Sequence, residues 1–169
     1  MDKAITTAML IVISMVMAVM LFNVAYPAIV EGGDAIVNMA DQQNDRLRSQ
    51  ITIVHAAAEW TNGAVQDTNG NGVIEVFVWV KNVGDTRLPY AGIERLDIFF
   101  GPQGNFKRIP HASESTTGTY WDATVVNATD WEPTATLAIT IHQAPLQAGQ
   151  QFLKVTMPNG IDSEYFWSL

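Results

Sequence analysis

From Ala4 to Val30 the chain carries no charged residue. The densest part, AMLIVISMVMAVMLF from Ala8 to Phe22, is apolar on every side of a helix. A bilayer core is crossed by about 20 apolar residues in a helix, so this segment is long enough to span one. Its polar interruptions are Thr6, Thr7, Ser14 and Asn23. Serine and threonine hydroxyls can bond back to their own helix, which keeps their cost low in lipid. Three roles compete for such a segment: a cleaved secretory signal, a membrane anchor, or a helix that starts in a membrane and ends inside a filament. A signal peptide has a basic start and a short apolar stretch. Met1-Asp2-Lys3 has no net charge, and the stretch here is too long.

The pattern continues beyond the apolar run. Pro27 removes a helix donor and is expected to kink or locally open the helix, and Gly32-Gly33 forms a second weak point. Further on, Ile29, Ile36, Met39, Leu47, Ile51, Val54 and Ala58 recur at helical spacing, with Asp34, Asp41, Asp45, Arg48 and Glu59 on the opposite face. The spacing predicts one helix over residues 1–60, stopped at Trp60-Thr61-Asn62-Gly63. At about 1.5 Å per residue it would reach roughly 85 Å, far more than a membrane needs.

Residues 61–169 change period. Strands are predicted at Ile74–Val83, Ile93–Phe100, Gly104–Ile109, Tyr120–Val126, Ala135–His142, Gln150–Met157 and Ile161–Trp167. Turn signals separate them: Asn82-Val83-Gly84-Asp85, Gly101-Pro102, Gln147-Ala148-Gly149 and Pro158-Asn159-Gly160. Short strands at this spacing, without a second helix, indicate an antiparallel Ig-like β-sandwich. The fold class is therefore α+β, a long hydrophobic then amphipathic N-terminal helix followed by that sandwich.

Composition narrows the function. The net charge is −8, with nine Lys and Arg against 17 Asp and Glu, which argues against binding to nucleic acid. With no cysteine, disulfides, thiolate metal sites and a cysteine nucleophile are excluded. His55 falls on the expected helix, and His111 and His142 lie far from it and from each other, without metal or triad spacing. Asp122, Asp130 and Glu132 cluster near Trp121 and Trp131 and read either as an acid–base pair or as a solvated loop. No phosphate loop or nucleophile elbow is present, and the expectation is a non-enzyme that needs no cofactor.

Two short motifs stand out. Asp67-Thr68-Asn69-Gly70-Asn71-Gly72-Val73-Ile74-Glu75 follows the opening of a calcium loop. Asp67, Asn69, Asn71, the Val73 carbonyl and Glu75 would be the ligands. The bidentate closing position is held by Val78, and an Asn/Gly-rich turn accounts for the same residues. Asn127-Ala128-Thr129 is an N-glycosylation acceptor triplet.

The run AITTAMLIVISMVMAVMLFNVAYPAIV, the strand VFVWVKNVG with its Lys-Asn-x-Gly ending, and the closing FLKVTMPNGIDSEYFWSL resemble the archaellin and archaeal type IV pilin superfamily, including archaellum accessory proteins. That resemblance implies insertion in the cytoplasmic membrane, cleavage by a prepilin-type peptidase, and helices that leave the membrane to bundle in an extracellular filament. It also implies the archaellum or pilus assembly machinery as partners. Lys3 is the single basic residue before the apolar run, and the family's usual Gly before the cut is missing. Bacterial relatives carry Glu at the fifth mature position, whereas this chain offers Ile5 or Ala8.

The leading expectation is a structural subunit of an archaellum-type filament for swimming, polymerising with itself. Met9, Leu10, Ile13, Met17, Met20 and Leu21 would pack the filament core, and Pro27, Gly32 and Gly33 would allow flexure. The alternatives are a membrane-anchored, stator-like archaellum accessory and an adhesive pilin. An unrelated anchored sugar-binding module would use Trp121 or Trp131 as exposed contacts.

Overall fold

The computed structural model describes every residue except Met1, Pro89, Ala144, Pro145 and Gln147; of the expected turn at Gln147-Ala148-Gly149, Gln147 therefore lies outside the described residues. The chain divides into two compact units, residues 1–44 and 45–169. The α+β class and the antiparallel sandwich are both present.

Helix α1 runs Asp2–Arg48, continuous through Pro27 and Gly32-Gly33. It stops well short of Trp60. Ser49 caps it, with its hydroxyl donating to the Asp45 carbonyl at 2.7 Å. The expected stripe at Ile51, Val54 and Ala58 is instead strand β1, Ile51–Ala58. The reason lies in the residues themselves. Ile51-Thr52-Ile53-Val54 is β-branched throughout, and Ile51 and Ile53 also alternate with period two. A helical spacing and a strand alternation coincide there, and pairing with a long apolar strand decides between them. His55 consequently lies on a strand, and the domain boundary expected at 60/61 moves to the end of α1.

The remaining strands are β2 Trp60–Thr61, β3 Ala64–Val65, β4 Ile74–Asn82, β5 Asp97–Pro102, β6 Lys107–Ile109, β7 Tyr120–Val126, β8 Thr136–Gln143, β9 Gln150–Thr156 and β10 Asp162–Ser168. A four-residue helix α2, Tyr90–Ile93, takes the start of what reads as a strand from Ile93. Asn62 and Gly63, expected to stop a helix, are the two positive-φ residues of the β2–β3 hairpin turn.

Two four-stranded sheets form the sandwich, ordered β1-β4-β8-β7 and β10-β9-β5-β6, with antiparallel pairing throughout both. Val76, Val78 and Val80 of β4 face inward beside Leu137, Ile139 and Ile141 of β8. Across the core stand Ile98 and Phe100 of β5 and Leu153 and Val155 of β9. Trp121 and Trp131 are fully buried, and their indole N–H groups donate to the Ile109 and Ala135 carbonyls, each at 3.1 Å. Neither is available as an exposed contact, because each supplies large core volume with its one polar atom satisfied internally.

The Lys-Asn-x-Gly run at residues 81–84 is a structural corner. Val83 and Gly84 donate to the Gln50 carbonyl at 2.9 and 3.0 Å, and Asp85 donates to the Arg48 carbonyl at 2.8 Å. Asn82 is buried; its amide donates to the Thr86 and Trp131 carbonyls, and its side-chain oxygen accepts from the Gly84 N–H at 3.1 Å. A Cβ on Gly84 would collide with the Arg48 carbonyl oxygen and stand 2.5 Å from the Gln50 nitrogen, both main-chain atoms. Gly84→Ala is therefore expected to cost about 2 kcal/mol or more and to lower Tm by roughly 5–10 °C. Thermal unfolding of the full chain in detergent, followed by tryptophan fluorescence, measures this; an unchanged Tm would show that the corner yields.

Candidate functional site

The first candidate region is α1 itself. It is long and apolar enough to cross a membrane, and none of its residues is buried within the chain. Met9, Leu10, Ile13, Met17, Met20 and Leu21 are all exposed, Leu21 at 75%. In water such a surface is costly, at about 25 cal/mol per Å² of apolar area, so it calls for lipid or protein around it. Its polar groups are already turned inward. Thr7 donates to the Lys3 carbonyl at 2.8 Å, Ser14 to the Ile11 carbonyl at 2.8 Å, and Thr6 to the Asp2 carbonyl. Phe22 and Tyr26 stack at 5.6 Å near the end of the uncharged run, the zone where aromatic rings suit a membrane–water boundary. From Glu31 onward charged residues return.

The second region is an acidic knot at one end of the β1-β4-β8-β7 sheet. Glu59, which helical periodicity would expose, is buried between β1 and β2. One of its oxygens accepts the Glu75 N–H at 3.1 Å; the other accepts the Thr68 hydroxyl and N–H. Burial alone would raise its pKa, but the Thr68 hydroxyl and the Glu75 and Thr68 N–H groups outweigh it and hold the carboxyl below the ordinary value of 4.5. Glu75, also buried, accepts from the Asn69 and Asn71 amides, each at 2.8 Å. Asp67 closes the loop by accepting the Asn69, Gly70 and Gly72 N–H groups at 3.1, 2.7 and 2.7 Å. Those amides, that of Gly72 above all, lower its pKa.

The five expected calcium ligands thus do come together, but as partners of one another. The Asn69 and Asn71 carbonyl oxygens accept the Asn71 and Val73 N–H groups at 3.0 and 2.8 Å. Their amide nitrogens face Glu75, so an ion seated among them would require both amides to turn. Among the described residues no group of three or more His, Asp or Glu is arranged to hold a metal.

His142 joins this knot without any signal in the sequence. Its Nδ1 lies 3.3 Å from Glu75 Oε1, its Nε2 lies 3.2 Å from Asp122 Oδ2, and its ring stacks on Tyr120 at 4.5 Å. Strand register brings them together: His142 pairs with Glu75 on one side and Tyr120 on the other. The acidic cluster near Trp121 and Trp131 is meanwhile split. Asp122 belongs to His142, whereas Asp130 pairs with Arg87 and accepts the Tyr90 N–H at 2.9 Å. Asn127 stands exposed in the turn after β7, at φ 59°.

No protein-family model matches the chain. An uncharacterised protein of Archaeoglobus fulgidus is 23% identical over 98% of both chains. Among solved structures, the archaellum periplasmic stator protein FlaG of Sulfolobus acidocaldarius matches with a TM-score of 0.53 and 21% identity, covering 70% of this chain and 99% of that one. A chain of the FlaF and FlaG stator complex from the same organism matches with a TM-score of 0.51 and 23% identity, over 70% of this chain and 88% of that one. This chain therefore shares its fold with archaellum stator proteins.

The knot has an acid-side consequence. A carboxyl held below its unfolded pKa contributes stability that is present above that value and lost as pH falls through the folded one. Tm of the full chain should therefore fall as pH drops below about 4.5, and Glu59→Gln should make that slope shallower. Thermal scans between pH 6 and pH 3, in steps of half a unit, would decide it; parallel slopes would remove Glu59 from the account.

Proposed function

We propose that the chain is a membrane-anchored accessory of an archaellum, stator-like, with α1 in the membrane and the sandwich outside it. The observation that carries this reading is the sandwich, whose fold is that of an archaellum periplasmic stator protein over nearly the whole of that protein. Helix α1 supports it independently, as an exposed apolar helix of spanning length joined to a domain that has its own core. In this reading the domain holds other archaellum parts at the envelope and performs no chemistry. The related solved complex, FlaF with FlaG, suggests a protein partner of the same machine.

The same exposed α1 surface, with Met9 to Leu21 unpartnered, keeps the filament-subunit reading as the second one. A homopolymer and a prepilin-type peptidase belong to that reading alone. The two separate on fractionation. Surface filaments are sheared from cells, and both filaments and membranes are probed for this chain by mass spectrometry. The accessory reading expects the protein in membranes and at most traces in filaments. It also expects a deletion strain that loses swimming while still making filaments. A sheared fraction dominated by this protein would overturn it in favour of the subunit.

A further inference from the structure

The two outer faces of the sandwich differ in kind. On the β10-β9-β5-β6 side Lys154 lies 2.9 Å from Asp162 and 3.0 Å from Glu164. On the same side Arg108 lies 2.6 Å from Asp97 and 2.8 Å from Glu114. That is a solvated, ion-paired surface. The outer face of β1-β4-β8-β7 is built differently. An antiparallel sheet with one wet face alternates apolar-in and polar-out. Strand β4 breaks that rule, because Phe77 and Trp79 point outward between the inward Val76, Val78 and Val80. His55 stacks on Trp79 at 5.7 Å, and Phe77 lies 6.4 Å from it, forming an aromatic ridge along one half of the face.

The other half is a trough of small side chains. Strand register sets Ala138 beside Trp79 and Thr140 beside Phe77. Thr124 and Asp122 of β7 follow in the same two rows. Each row therefore runs from bulky to small: His55, Trp79, Ala138, Thr124 in one, and Ala57, Phe77, Thr140, Asp122 in the next.

We propose that this face binds a second copy of the chain, related by a two-fold axis parallel to the strands between β4 and β8. Such an axis lays β4 of one copy over β8 of the other. Trp79 then meets Ala138, Phe77 meets Thr140 and His55 meets Thr124, each ridge residue over a small one. Like charges do not meet, since Lys81 falls over Thr136 and Asp122 over Ala57. Isologous contacts of this kind close as dimers. Four strands about 4.8 Å apart and eight residues long at about 3.4 Å each give roughly 500 Å² per face. Two such faces bury roughly 1,000 Å² together, about the threshold for a specific interface. The inference concerns the sandwich alone and stands whichever reading of its role in the cell holds.

The test uses the full chain in detergent micelles, with mass measured by light scattering across a dilution series. The wild type should be a dimer that dissociates on dilution. Trp79→Lys and Ala138→Lys should each weaken it by at least about tenfold, as expected for the centre of an interface. Phe166→Lys, exposed on the other sheet, should leave it unchanged. Circular dichroism checks that each variant is folded, and Thr124→Lys, on an exposed position, replaces any that is not. A monomeric wild type overturns the proposal. So does a dimer that survives all the lysines on this face, which would assign association to α1 or another surface.

Discussion

A nine-residue strand with apolar side chains on both faces, β4, is the constraint on which the rest depends. Its inward valines supply the centre of the core, because β1 and β8 must lie on either side of it to complete the hydrogen-bond ladder. Its two ends are equally committed. Glu75 at the start gathers the Asn69 and Asn71 amides and His142. Asn82 at the finish ties the 82–86 corner to the Trp131 carbonyl. Buried polar groups of this kind are tolerable only when every one has partners, so the ends of β4 fix the loops around them as firmly as the middle fixes the sheet.

That commitment explains where α1 ends. Residues 51–58 satisfy two periodicities at once, and local preference alone does not choose. The free row of donors and acceptors along β4 does, by offering Ile51 to Ala58 a complete ladder. Tertiary pairing overriding a helical stripe is a long-range effect, and nothing within the segment announces it. The apolar run before it needed no such context, since length and absence of charge already identified a helix able to cross a bilayer.

The same division runs through the candidate sites. The sandwich class and most strand positions were legible because strands and turn residues carry local signals. Tyr120–Val126 appears as expected, and Ile74–Asn82 ends one residue short of the expected Val83. Asp67 to Glu75 was recognisable as an oxygen-rich loop, but its internal closure was not, because that depends on which way two amides turn. Glu59 and His142 escaped altogether. One was assigned to a polar helix face, and the other is separated from Glu75 by most of the domain in sequence, joined to it by register alone. Trp121 and Trp131 were misjudged as surface contacts since a tryptophan in a strand or loop reads the same whether it faces in or out.

The corner at residues 48–50 and 83–85 also matters for how the molecule would carry load. Any tension borne by α1 must enter the sandwich at its last turn. There the Arg48 and Gln50 carbonyls are bonded to three consecutive N–H groups beyond β4, and β1 follows at once, laddered to β4 over its length. Force is thus passed within a few residues from one covalent strand to many parallel hydrogen bonds, near the middle of a sheet rather than at a frayed loop. Gly84, having no side chain, lets the two main chains approach closely enough for that transfer.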